Sequence, residues 1–157
     1  MPPGDIDKDA VVKVLNQILE SELSGVVRYT HYSFMVYGYG RIPIVSWLRD
    51  QANECLTHAH EAGEWITHLG AHPSLGIGGL LETHKHDIGD ILKESIEHER
   101  EGLQLYHDLL KLVEGKSVAL EEYVRGKILE EEQHLGEVDK MLRRPGAVES
   151  VAGHDVS

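Results

Sequence analysis

The stretch Glu130-Glu131-Glu132-Gln133-His134 puts carboxylates and an imidazole within about one helical turn, the ligand types used for iron, zinc or manganese. It interrupts an apolar row running Leu120, Val124, Ile128, Glu131, Leu135, Val138, Leu142, whose steps of three and four residues mark one face of an α-helix. A carboxylate therefore occupies the middle of a stripe that should be buried, which is costly unless it is paired or holds a cation. The same anomaly recurs twice. Glu22 sits in the row Leu15, Ile18, Leu19, Glu22, Val26, Tyr29, Tyr32, Val36, and Glu99 in the row Leu92, Ile96, Glu99, Leu103, Tyr106, Leu110, Val113. His58 and His134 lie in matching contexts, Glu54–His58–Glu61 and Glu130–His134–Glu137, at identical spacing.

Four helices are needed to position these groups. The first begins near Asp9, with Asp7 or Asp9 as N-cap, and ends near Gly38-Tyr39-Gly40. The second spans 44–69 and closes at Gly70. Its inner row is Leu48, Ala52, Cys55, Ala59, Ala62, Ile66, Leu69, and an adjoining, more polar row carries Trp47, Glu54, His58, Glu61 and Trp65. A long irregular piece, 71–81, contains Pro73, Gly76, Gly78 and Gly79, and His84-Lys85-His86 reads as a solvated approach to the third helix. That helix starts at Asp87 or Asp90 and runs to Val113, and the fourth covers 117–143.

Glu22 is followed seven residues on by Tyr29, and Glu99 by Tyr106, so the chain reads as two related helical hairpins. A connection as long as 71–81 suggests a crossover rather than a tight turn. The expected fold is all-α, an antiparallel four-helix bundle over residues 9–143 with a long crossover between helices 2 and 3. A disordered lead is expected over 1–8 and a flexible tail over 144–157.

Composition narrows the function. Of 157 residues, 15 are Lys or Arg against 27 Asp or Glu, a formal charge of −12, which argues against nucleic acid or an anionic membrane as partner. Eleven histidines suit cation binding. The single cysteine, Cys55, excludes an internal disulfide and suits a reducing cytosol. No run is apolar enough to span a bilayer, so a cytoplasmic protein is expected. In a four-helix bundle the rows carrying Glu22, Glu99 and Glu131 converge, with His58 and His134 flanking the same level; oxygen-rich ligands with two imidazoles suit a pair of iron or manganese ions.

The sequence resembles the ferritin-like superfamily, and bacterioferritin within it. Leu15-Asn16-Gln17-Ile18-Leu19 with Glu22-Leu23 and Tyr29 is similar to that family's first helix, Glu131-Glu132-Gln133-His134 to its Glu-x-x-His motif on the fourth, and His58-Ala59 to part of the second. The resemblance covers most of residues 10–142. It implies a di-iron centre held by Glu22, His58, Glu99, Glu131 and His134, with Tyr29 beside it and Tyr106 as its counterpart. It also implies that Fe(II) is oxidised by O2 or peroxide in a homo-oligomer, for storage or detoxification.

One position departs from the family pattern: Cys55 stands where the metal-bridging glutamate belongs. Two outcomes stay open: Glu54, four residues before His58, swings in as substitute ligand, or the centre is asymmetric with one tight and one weak metal site; a Cys55 thiolate is the lesser alternative. Leu56 replaces the methionine expected to ligate haem, so haem is not expected. The polar tail after Pro145-Gly146 leaves a dimer, a 12-subunit shell and a 24-subunit cage all open. Two other readings remain: a peroxide reductase on the same scaffold, with manganese or zinc as alternative metals, and a bundle with a degenerate site serving as a structural or stress-related oligomer.

Overall fold

Asp7 starts the first helix: its side chain accepts a hydrogen bond from the Ala10 amide at 3.2 Å, satisfying one of the donors that a helix leaves open at its N-terminus. In the computed structural model, which describes residues 5–150, the elements are α1 (Lys8–Met35), α2 (Arg41–His68), α3 (Ile88–Val113) and α4 (Val118–Leu142), with no β-strand among the described residues. The parts of the expected lead and tail at 1–4 and 151–157 lie outside the described residues. No helix is long and apolar enough to cross a membrane. Two units emerge, α1 with α2 and the following connection, and α3 with α4.

In the first unit α1 and α2 form an antiparallel hairpin. Contacts advance in opposite directions along the two helices, from Tyr29 with Trp47, to Glu22 with His58, to Lys8 beside Gly70. Arg41, at the start of α2, closes the turn by donating to the Val36 and Ser33 carbonyls left open at the end of α1 (2.6 and 3.4 Å). Arg49 donates to Ser33 Oγ at 3.2 Å. Leu15, Ile18, Tyr29, Leu48, Ala62 and Ile66 are buried as their rows predict, whereas Val26 and Leu69 are half-buried. Gly25 takes the inner position beside Val26, and Leu69 lies in the C-cap, where the helix surface ends.

α2 runs back to the start of α1, and the connection after it climbs α1 again. It does so in extended form. The Ser74 amide donates to Asn16 Oδ1 at 2.7 Å, the Gly78 amide to the Glu20 carbonyl at 2.8 Å, and Glu82 meets His31. From 74 to 82 an extended chain covers about 26 Å, matching the roughly 22 Å that α1 rises from Asn16 to His31.

In the second unit Ser117 caps α4 by accepting from the Leu120 amide. Glu121 holds the α3–α4 turn, accepting from the Gly115 amide at 2.8 Å and from Arg125 Nε at 3.2 Å. Leu109, Val113, Leu120, Val124, Leu135 and Val138 are buried, while Leu103, Leu110 and Ile128 are half-buried. Residues 144–150, read from sequence as tail, begin with bonds back to α4. Arg143 pairs with the fully buried Asp139 at 2.7 Å and donates to the Val148 carbonyl, and Ser150 Oγ lies 3.1 Å from the other Asp139 oxygen.

A β-carbon on Gly78 would lie 2.9 Å from the Glu20 carbonyl oxygen, a backbone atom that cannot swing aside. Gly78→Ala is expected to cost about 1–3 kcal/mol in thermal unfolding, whereas Gly79→Ala, with nothing within 4 Å, should leave the melting temperature unchanged. The Gly115 amide first, then Arg125, holds the Glu121 carboxyl below its ordinary value of 4.5. Since folding lowers this pKa, its contribution is present above the ordinary carboxylate range and is lost as pH falls through the folded value. The stability difference between wild type and Glu121→Gln should therefore shrink toward zero on acidification from pH 6, read from paired thermal melts.

Candidate metal centre

On α1 the members of Glu22's row on either side of it are apolar, so the row that buries Leu15, Ile18 and Tyr29 takes the carboxylate in with them; Glu22 is 6% exposed. Opposite it on α2 the buried His58 turns its imidazole to the same place, with Nδ1 3.5 Å from Glu22 Oε2. Glu54, one turn before His58, is exposed, yet it presents a ligand atom within 4.8 Å of one on His58. Cys55 is buried on the inner row, 7% exposed.

The second hairpin repeats this arrangement. Glu99 of α3, 7% exposed, faces His134 of α4, with Oε1 3.6 Å from Nε2. Glu131, 5% exposed, lies one turn before His134 on α4. Each hairpin thus sets a buried carboxylate against an imidazole at nearly equal separation, with a further carboxylate on the helix that carries the histidine. Hard oxygen and borderline nitrogen donors of this kind suit iron, manganese or zinc.

Every site residue named from sequence lies in a described helix. Within the hairpins the structure brings together Glu22 with His58, Glu54 with His58, and Glu99 with His134. Tyr29 is buried beyond Glu22, its ring edge-to-face with Tyr32 and Trp47 at centroid distances of 6.2 and 6.4 Å. Tyr106 is fully buried two turns after Glu99.

Three features escaped the sequence reading. Lys127 is buried and pairs at 3.2 Å with Glu130, the carboxylate that corresponds to Glu54; an i, i+3 Lys–Glu spacing was the available signal. Arg28 is buried beside the Tyr32 hydroxyl at 3.5 Å. Finally, His86 does not simply face solvent: it and His31 both approach Glu82, whose Oε1 also accepts from the His84 amide. That amide first, then His31, brings the Glu82 carboxyl down to about 2.

Comparison with known proteins bears on this arrangement. The model of the ferritin family, described as a ferritin-like domain, matches residues 12–145. A search of curated protein sequences found no significant match. Among solved structures, a ferritin-like, diiron-carboxylate protein of Bacillus anthracis superposes with a TM-score of 0.82 at 22% identity, covering 87% of this chain and 98% of that one. The bacterioferritin of Rhodobacter capsulatus, described with a metal-free dinuclear site and haem iron, gives 0.76 at 21% identity over 84% and 82%. A dodecameric thioferritin of Bacteroides fragilis, a bacterioferritin-related protein, gives 0.80 at 20% identity over 88% of each chain. At these identities the likeness shows the fold, the ferritin-like four-helix bundle expected from sequence. With its family match extending over most of its length, the chain belongs to the ferritin-like domain family.

Proposed function

We propose that the protein binds Fe(II) as substrate at a di-iron centre and oxidises it to Fe(III), with O2 or peroxide accepting the electrons. The reading rests on one observation above the rest: each hairpin buries a carboxylate facing an imidazole, Glu22 with His58 and Glu99 with His134, at 3.5 and 3.6 Å. Glu22, His58, Glu99, Glu131 and His134 are the proposed ligands, and Glu54 is the sixth, replacing the bridging carboxylate that Cys55 lacks. Tyr29 is proposed to hydrogen-bond near the centre or to donate an electron. The surplus of acidic side chains raises the local Fe(II) concentration.

A cytoplasmic homo-oligomer storing or detoxifying iron fits this chemistry, and the dodecameric assembly of the Bacteroides fragilis relative supports the oligomeric part. The buried Cys55 favours one alternative, a centre reduced to a single occupied half.

Iron per subunit after aerobic Fe(II) loading tests the proposal. Near two irons in wild type, with a marked loss in both Glu131→Ala and Glu54→Ala, is the expected outcome. Near one iron, insensitive to Glu54→Ala, would assign a half-site, and no bound iron or oxygen uptake would overturn the iron reading. The ligand role also has a stability signature. Glu131→Gln removes a buried carboxylate and should raise the melting temperature of the iron-free protein, by roughly 2–4 °C for each kcal/mol regained. Redox-inert Zn(II) should then stabilise wild type more than this variant.

A further inference from the structure

A second donor cluster lies apart from the Glu22–His58 pair. His31 on α1 and Glu82 and His86 at the end of the crossover converge, although His31 and Glu82 are 51 positions apart in sequence. His31 Nε2 is 2.5 Å from Glu82 Oε2, His86 Nε2 is 3.4 Å from Glu82 Oε1, and one ligand atom from each of the three side chains lies within 4.8 Å of the others. From Glu22 to His31 the helix rises about 13 Å, so the cluster does not share donors with the proposed di-iron centre.

We propose that His31, Glu82 and His86 form a separate surface site for a single divalent transition-metal ion. Two imidazoles and a carboxylate are a donor set taken by Zn(II), Fe(II) and Co(II). Ligand bonds of about 2.0–2.2 Å in tetrahedral geometry place donor atoms roughly 3.3–3.6 Å apart. The existing separations reach that arrangement by small side-chain rotations. With three protein donors, a fourth position stays open to water or an exchanging ligand.

The donors are held in advance of binding. Glu82 Oε1 accepts from the His84 amide at 2.5 Å, and His84 takes a left-handed backbone angle of φ 58° that brings this amide round to the carboxylate. The crossover bonds at Ser74 and Gly78 bring Glu82 up α1 to the level of His31. An ion seated here joins the end of the crossover to α1. The three side chains are partly open to solvent, so an ion can enter without unfolding the helices.

Co(II) binding, followed by calorimetry and by imidazole NMR signals, tests the site. To remove the background of the proposed di-iron centre, the parent protein carries His58→Ala and His134→Ala. That parent is expected to bind one Co(II) per chain, with the His31 and His86 resonances perturbed. Adding His31→Ala or His86→Ala should weaken binding more than about tenfold, and both together should abolish it, with unchanged helical circular dichroism. Absence of Co(II) binding in the parent, or binding equal with and without His31 and His86, would overturn the site. Neither result touches the iron stoichiometry measured on the protein with His58 and His134 in place.

Discussion

The burial of carboxylates is the constraint from which the rest of this structure follows. Glu22, Glu99 and Glu131 each lie in a row that is otherwise apolar, at 5–7% exposure. Removing such an ion from water costs several kcal/mol, against a total folding stability of about 5–15 kcal/mol for a typical domain. The helices compensate by length and by apolar continuity on either side of each carboxylate. Leu15, Ile18 and Leu19 precede Glu22 and Tyr29 and Tyr32 follow it; Leu120 and Val124 precede Glu131 and Leu135 and Val138 follow it. The imidazoles of His58 and His134 lie 3.5 and 3.6 Å from Glu22 and Glu99. A fold serving stability alone would favour leucine at these positions, which supports the proposed role of the carboxylates as donors to a cation.

Such donors work when their helices keep a fixed register, because metal ligation tolerates displacements of only about half an ångström. Polar clamps at the hairpin ends supply this. Arg41 and Arg49 converge on Ser33 and its neighbours at one end of α1 and α2, and Arg125 links Glu114 and Glu121 across the α3–α4 turn. The crossover adds a third restraint along α1, close enough at Gly78 to leave no space for a side chain. What looks in sequence like a loose glycine-rich linker is a strap seated on the helix that carries Glu22.

The legible parts of the chain were those where a pattern repeats locally. Helix positions, the inner rows and the anomalous glutamates follow from intervals of three, four and seven residues, and Asp7 was one of two caps offered for α1. The reading failed where partners are distant in sequence. His86 was seen, but nothing in the spacing of 82–86 points to His31, and the glycines at 76–79 do not reveal which helix they cross. Lys127 was missed for a different reason. A lysine among glutamates reads as surface charge, and it is buried here because its stem packs inward while its amine stays on Glu130.

That lysine explains how the two hairpins differ. Under the repeat, Glu130-Glu131-x-x-His134 corresponds to Glu54-Cys55-x-x-His58, and Lys127 to Gln51. In the second hairpin the inner carboxylate, Glu131, is the proposed ligand, and Lys127 pairs with the outer one, Glu130. In the first hairpin the inner position has become a thiol, and the residue corresponding to the restraining lysine is neutral. Glu54 has no ion pair among the described residues, and a ligand atom of its carboxylate lies within 4.8 Å of one on His58. The loss of the inner carboxylate thus coincides with the absence of the cation that would tie up the outer one. That coincidence supports the proposal that the bridging role has moved by one residue. The joint occurrence of Cys55 and Gln51 in the first hairpin is the argument for proposing Glu54 as ligand.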